Sequence, residues 1–357
     1  MNILYYPQKI LTILTAGILT GYALFIPSAE AQSIQISTLD TNQQEIYSLR
    51  PSEFKYALGQ TDSSLLVMQL YAENIQKQPD IHLEGIQMIQ DNLRSDMICH
   101  QKIAKENAND WERVEKTILE ASQNIIQFNI QFQSRYEQIS MAIHQKQTGK
   151  LHSHIHDLFY LISQNKRKSD QLISLLQEFQ SNIEADVMHF KKDVNMLMPI
   201  INSETGWVSD LQNQIDVNHE IIKKNKDILW DLISSGRANK DNLADVRTKI
   251  AEAEANIQKL KASLSGIQSD VAILTDTQNN MTDMVEVITS ATRALQQLST
   301  QWSIIQIKYE AVLNAIDDID PEMFDWIQSD LTIAKKEWQD LNEYVEQLQQ
   351  LYKNERG

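Results

Sequence analysis

From Leu243 to Ile316, apolar or small residues recur three and four positions apart. The series runs Val246, Ile250, Ala253, Ile257, Leu260, Leu264, Ile267, Val271 and Leu274, then pauses at Gln278. It resumes as Met281, Val285, Ile288, Thr292, Leu295, Leu298, Trp302, Ile305, Tyr309, Val312 and Ile316. No proline falls within it, and Gly266 is its one glycine. A stripe that keeps a 3.5-residue period this long predicts a helix wound in a bundle, because drift at 3.6 residues per turn is taken up by supercoiling. Roughly 74 residues at ~1.5 Å each predict a rod of ~110 Å. Other helices must then be long enough to cover its stripe.

Several segments qualify. A short apolar helix around Leu65 to Tyr71 stops before Pro79. A long helix is expected from about Ile86 to Gln147, with its stripe at Trp111, Val114, Ile118, Ala121, Ile125, Phe128, Phe132, Tyr136, Ile139 and Ile143. Thr148-Gly149 punctuates it, and the next stripe runs from Leu151 to Leu197 with Asn165 as a register-setting polar residue. Pro199 to Gly206 is expected to interrupt, and Trp207 to Leu232 to resume through Leu211, Ile215, Ile222 and Leu229. Ser234 to Asn242 reads as a polar turn around Gly236, with Asp241 as N-cap of the rod. Pro321 opens a last helix behind Asp320.

The helices at 150–198 and 207–232 together number roughly 75 residues, which matches the rod at the same rise per residue. They are expected to run end to end up one side, turn at 234–242, and return down the rod. The predicted fold is all-α: an elongated antiparallel bundle of very long helices, one domain over 32–357, whose tip is a short polar turn.

The beginning of the chain changes the setting. Lys9 precedes an apolar run from Ile10 to Pro27, and Ala29-Glu30-Ala31 is a small-x-small cleavage site. Residues 1–31 therefore read as a signal peptide cleaved after Ala31, with an uncleaved membrane anchor as the rival reading, and the mature chain as secreted. The formal net charge of −16 argues against nucleic acid. It leaves open a membrane approached through apolar surface. Cys99 is the single cysteine, so no internal disulfide is expected.

Little covalent chemistry is in view. His144, His152, His154 and His156 cluster beside the turn, and His152 and His156 share a helix face at a spacing that can hold a metal. No cysteine or glutamate stands at a matching offset, so a solvated helix end is the plainer reading, with no metal and no cofactor. Trp111, Trp302 and Trp338 sit on stripes and are expected in the core. Trp207 and Trp230 flank the turn around Gly236, where an aromatic side chain can meet a lipid headgroup layer. There is no Gly-rich phosphate loop, H-E-x-x-H or G-x-S-x-G motif, and no enzymatic activity is expected.

Gln78-Pro79-Asp80, followed by His100-Gln101-Lys102, Ala104-Lys105, Asn107 and Trp111, resembles the haemolytic and non-haemolytic enterotoxins of Bacillus. Those are secreted, multi-component α-helical pore-forming toxins allied in fold to the cytolysin A group. The apolar pairs ahead of Gln78 and the Leu298 to Tyr309 stretch also look like the family, and the resemblance spans most of 58–350. It implies a soluble component that oligomerises with itself and with other toxin components on a target-cell membrane. One departure stands out. Where the family carries an apolar hairpin, 234–242 is polar, and burying its charges in hydrocarbon costs several kcal/mol. A non-inserting component is therefore expected, or one that inserts another part such as 63–76. The alternative is an exported coiled-coil structural or adaptor protein without lytic activity.

Overall fold

The computed structural model describes residues 48–51, 53–83, 89–204, 208–264, 266–316 and 321–356, without the side chains of 201–212, 321–322 and 354–356. The expected signal segment, Trp207 and Asp320 lie outside these residues. The described chain forms eight helices and no strand. They are α1 Phe54–Lys77, α2 Asp91–Asn109, α3 Trp111–His144, α4 Thr148–Glu204, α5 Val208–Ser234, α6 Lys240–Ala262, α7 Ile267–Ala315 and α8 Pro321–Arg356.

Local chemistry sets most boundaries. Pro321 opens α8, where its missing N–H is no loss. α6 is capped one turn edge earlier than expected. Asn239, not Asp241, accepts from the N–H groups of Asp241 and Asn242, and Asn242 Oδ1 accepts from Asn239 N–H in return. The α3–α4 turn falls at Gln145–Gln147, with Lys146 at φ 52°, so Gly149 lies inside α4. α4 continues through Pro199 to Glu204 instead of stopping there. The helix expected from Ile86 to Gln147 is two, α2 and α3, joined at Asp110 in near-helical geometry.

α4 and α7 run antiparallel, marked by Ser299 Oγ donating to Asp170 at 2.6 Å and Gln180 facing Thr289 at 3.4 Å. α3 runs antiparallel to α4, with Trp111 against Phe179 near one end and Arg135 against Asp157 near the other. α8 returns along α3, where Gln133 donates to Lys335 O and Tyr352 donates to Glu115. An aromatic knot joins four helices: Phe54 of α1, Phe128 and Phe132 of α3, Trp302 of α7 and Trp338 of α8. Phe128 and Trp338 centroids are 4.5 Å apart, and Phe54 and Trp302 centroids 4.8 Å. Trp111, Trp302 and Trp338 are buried.

The chain ahead of α1 is tied into the same knot. Leu49 is fully buried; its N–H donates to Asp330 at 2.6 Å, and its carbonyl accepts from Tyr309 Oη and Trp338 Nε1. Arg50 Nε adds a 2.7 Å bond to Asp330. α1 then passes through the middle of the bundle, and from Thr61 to Met68 every residue is buried. Its polar residues there close on their own helix: Thr61, Ser63 and Ser64 hydroxyls donate to the carbonyls four residues back.

The expected rod is broken. α6 ends at Ala262, Gly266 takes φ 55°, and α7 starts at Ile267. Fifteen residues along an unbroken helix span ~22 Å, yet Lys261 and Asp276 are hydrogen-bonded, so α7 runs back against α6. α5 likewise does not extend α4. It runs parallel to α7, with His219 beside Asp276 and Lys223 beside Asp283 and Glu286. α5 and α6 thus form a hairpin folded back along α1 and α7. Equal lengths are compatible with both arrangements; only which stripe finds which partner separates them.

Trp338→Ala should cost about 3–5 kcal/mol, since it removes a central aromatic and one of the two donors to Leu49 O. Urea denaturation of the full chain, with an unchanged slope, checks this value.

Candidate functional site

The hairpin's docking surface joins apolar stripes with an unusual share of buried charge. Ile215, Ile222, Leu229 and Ile233 of α5, with Leu243, Val246, Ile250, Ala253 and Ile257 of α6, are all buried. At one end of the surface stands Asp276 of α7. Its Oδ2 accepts from Lys261 Nζ of α6 and from Gln78 Nε2 at 2.9 Å, just past α1. Its Oδ1 accepts from Asn280 at 3.0 Å and lies 2.5 Å from His219 Nε2 of α5. One carboxylate therefore ties both arms of the hairpin and the end of α1 to α7. Burial alone pushes Asp276 up, but the His219 hydrogen bond and the Lys261 charge outweigh it and hold the carboxyl at about 2.

Farther along, Asn74 of α1 donates to Glu254 of α6 at 3.1 Å, and Trp230 Nε1 donates to Ser64 Oγ at 3.1 Å. Lys226 of α5 is buried with its Nζ 3.2 Å from the centre of the Tyr71 ring and makes no hydrogen bond. The hairpin turn rests beside Gly59 of α1. A Cβ at Gly59 would lie 2.7 Å from Tyr344 Oη and 3.0 Å from Ser234 O, so only glycine admits the turn this closely.

The residues from 78 to 111 build a second clamp, next to the first. Gln101 accepts from Ile81 N–H and donates to Pro79 O, fixing the chain between α1 and α2. His100 Nδ1 sits 2.8 Å from Asp193 and its ring stacks on His189 at 4.4 Å. Asn107 donates to Asp186 at 2.7 Å, and Trp111 Nε1 donates to Gln69. Burial pushes the Asp186 and Asp193 carboxyls up despite these donors. Ala104 is buried, which lets α2 lie close, while Lys102 is exposed beside Glu106.

The profile of the Bacillus haemolytic enterotoxin (HBL) family matches residues 48–225, from the Leu49 anchor into α5. This chain belongs to that family. The haemolytic enterotoxins are pore-forming toxins. A Bacillus cereus protein of the hblA 3′ region is 27% identical over 154 residues, 43% of this chain and 96% of its own length. Among solved structures, the HblL1 toxin component of Bacillus cereus aligns with TM-score 0.75 at 22% identity, covering 85% of this chain and 98% of that one. Soluble SmhA, of the tripartite α-pore forming toxin Smh of Serratia marcescens, aligns with TM-score 0.67 at 12% identity, covering 87% and 96%. At such identities the two structures bear on the fold: a bundle of long helices.

Within this chain the residues singled out from sequence scatter. His100, Gln101, Ala104, Asn107 and Trp111 come together in the second clamp. Gly236 sits in the hairpin turn at φ 67°, with open space where a Cβ would be. Trp230 is half-buried and turned onto α1, so the turn it flanks lies along the bundle and not at a free end. His152 and His156 are exposed with rings 6.1 Å apart, and no group of three or more metal-ligating residues occurs among the described residues. Among the described residues, no helix is long and apolar enough to cross a membrane. Sequence reasoning missed Asp276, Lys261, His219 and Lys226. The pause in the stripe at Gln278, flanked by Asp276 and Asn280, was the available signal for the first.

Two substitutions test the docking. Asp276→Asn should cost about 3–5 kcal/mol at neutral pH, because Lys261 keeps a buried charge without its counter-charge. A carboxyl held below its unfolded value stabilises above that value and loses its contribution as pH falls toward 2. The same substitution should therefore flatten the acid limb of a urea-stability series from pH 6 to 2. Gly59→Ala should destabilise by about 1–3 kcal/mol through overpacking, with partial recovery on adding Tyr344→Phe, read from thermal melts.

Proposed function

We propose that this chain is a secreted component of a multi-component α-helical pore-forming toxin, made with a signal peptide cleaved after Ala31. It oligomerises on a target-cell membrane with itself and with other toxin components. Its work is conformational, with no covalent chemistry. The moving element is the α5–α6 hairpin.

One observation carries this reading. The apolar stripe keeps its spacing of three and four across the reversal, through Ile257, Leu260, Leu264, Ile267 and Val271, although the helix is folded there. The same residues therefore suit a straight α6–α7 helix of roughly 75 residues as well as the folded pair. Gly266 is the residue best able to leave φ 55° for helical geometry. Two packings of one sequence that differ by a few kcal/mol are the basis of a switch. Opening the hairpin uncovers the stripes of α5, α6 and α1, which neighbouring subunits can bury again. It also frees Trp230 to meet lipid headgroups. The polar turn 234–242 favours a component that does not itself thread this tip through hydrocarbon.

The test joins Asn74→Cys and Glu254→Cys with a short bismaleimide in a Cys99→Ser background. The bridged chain should lose lytic activity in the presence of its partner components, while each single-cysteine chain keeps it. Unbridged protein should release dye from liposomes only in mixture with proteins encoded beside it. Release by this chain alone would overturn the non-inserting role. No membrane binding in any mixture would favour the adaptor.

A further inference from the structure

The docking surface contains one group that does not fit the surface holding it. Lys226 is fully buried, its Nζ has no hydrogen-bond partner, and its nearest aromatic, Tyr71, offers only a ring face. A buried ammonium needs pairing or hydrogen bonds to be tolerated. A cation–π contact with the Tyr71 ring offsets part of that cost and supplies none of the hydrogen bonds that hydration would. We propose that Lys226 is a release element: while it carries its proton it favours the undocked hairpin, so falling pH loosens α5–α6 from α1 and α7. The inference rests on the reading of the hairpin as the moving element.

The surroundings support the direction. Tyr71 faces Lys226 from α1, Glu254 from α6, and Asp283, Glu286 and Asp276 from α7; Lys223, Asp227 and His219 share its own helix. Glu254, Asp283 and Asp276 all favour the charged lysine. Two of them are spent elsewhere: Asp283 is paired with Lys223, and Asp276 with Lys261 and His219. Burial prevails and draws the Lys226 ammonium down to about 7. A cleft of about 220 Å³ lined by Tyr71, Lys226, Trp230, Asp283 and Glu286 reaches the group, which gives protons and water a path.

The sign follows from linkage. In the released hairpin Lys226 is hydrated and titrates near its ordinary 10.5. The docked form binds fewer protons between about 7 and 10.5, so docking strengthens as pH rises through that window. Below it the penalty is present in full. Asp276 adds nothing there, because it titrates only in strong acid. Lys261 is also drawn down by burial and can contribute in the same sense, so the Lys226 share is a difference between variants.

The experiment uses the full chain in a Cys99→Ser background with donor and acceptor dyes at Tyr56→Cys and Lys240→Cys. Both sites are exposed, and the docked turn lies beside α1. Energy transfer is followed from pH 6 to 9.5 in sub-denaturing urea. The released-to-docked ratio should rise up to about tenfold per pH unit as pH falls from 9.5 to 7, then level off. Lys226→Met and Lys226→Gln should keep high transfer and lose most of this slope; the second variant guards against misfolding of the first. An unchanged slope in both variants overturns the proposal. Transfer that stays high on vesicles with partner components would instead overturn the hairpin as the moving element.

Discussion

The structure depends on what surrounds Asp276. A single carboxylate, buried on α7, receives Lys261, His219, Gln78 and Asn280, and so draws three chain segments to one point. Without its donors that charge would be intolerable in the core; with them it becomes the fixed point at which α6 reverses into α7. Buried pairs of this kind contribute modest net stability, since desolvation cancels most of the attraction, but they are severe about geometry. Asp276 therefore selects one arrangement of the hairpin more than it strengthens the bundle.

Strength comes from a different place. The aromatic knot of Phe54, Phe128, Phe132, Trp302 and Trp338 is apolar, closely packed and shared by four helices. It sits where the Leu49 anchor enters α1, and Asp330 holds that anchor by main-chain and side-chain bonds. The molecule thus divides its physics by region. The bundle of α3, α4, α7 and α8 is held by burial of large apolar side chains, whereas the hairpin is held by apolar stripes mixed with buried charges. An element held in the second way can leave at lower cost, because its charged groups regain hydration as its apolar stripes lose cover.

α1 links the two regions. It is buried from Thr61 to Met68, a run that includes Thr61, Asp62, Ser63 and Ser64. The hydroxyls return to their own helix, but the Asp62 carboxyl is pushed up to about 7 by burial alone. The helix that everything packs around thus carries a polar band through its middle. That band includes Ser64, which receives the Trp230 hydrogen bond from the hairpin.

Much of this was legible along the chain. Spacings of three and four named the buried faces of α3, α4, α6 and α7, because burial of one helical face is a local property of sequence. The residues at 78 and 100–111 marked the family and proved to be a clamp, with Gln101, His100 and Asn107 each meeting a distant partner. What the stripe could not state is where it folds. Its register passes through 263–266 unbroken, and Leu260, Leu264 and Ile267 suit a straight helix as well as a reversed one. The reversal is decided by contacts far apart in sequence: Asp276 with His219 and Gln78, Lys226 with Tyr71, Ser234 with Gly59. The sequence alone determined that the chain is helical and which faces are buried, since periodicity encodes both. Only the tertiary structure decided which stripe covers which, because a stripe records that a face must be covered and not by what.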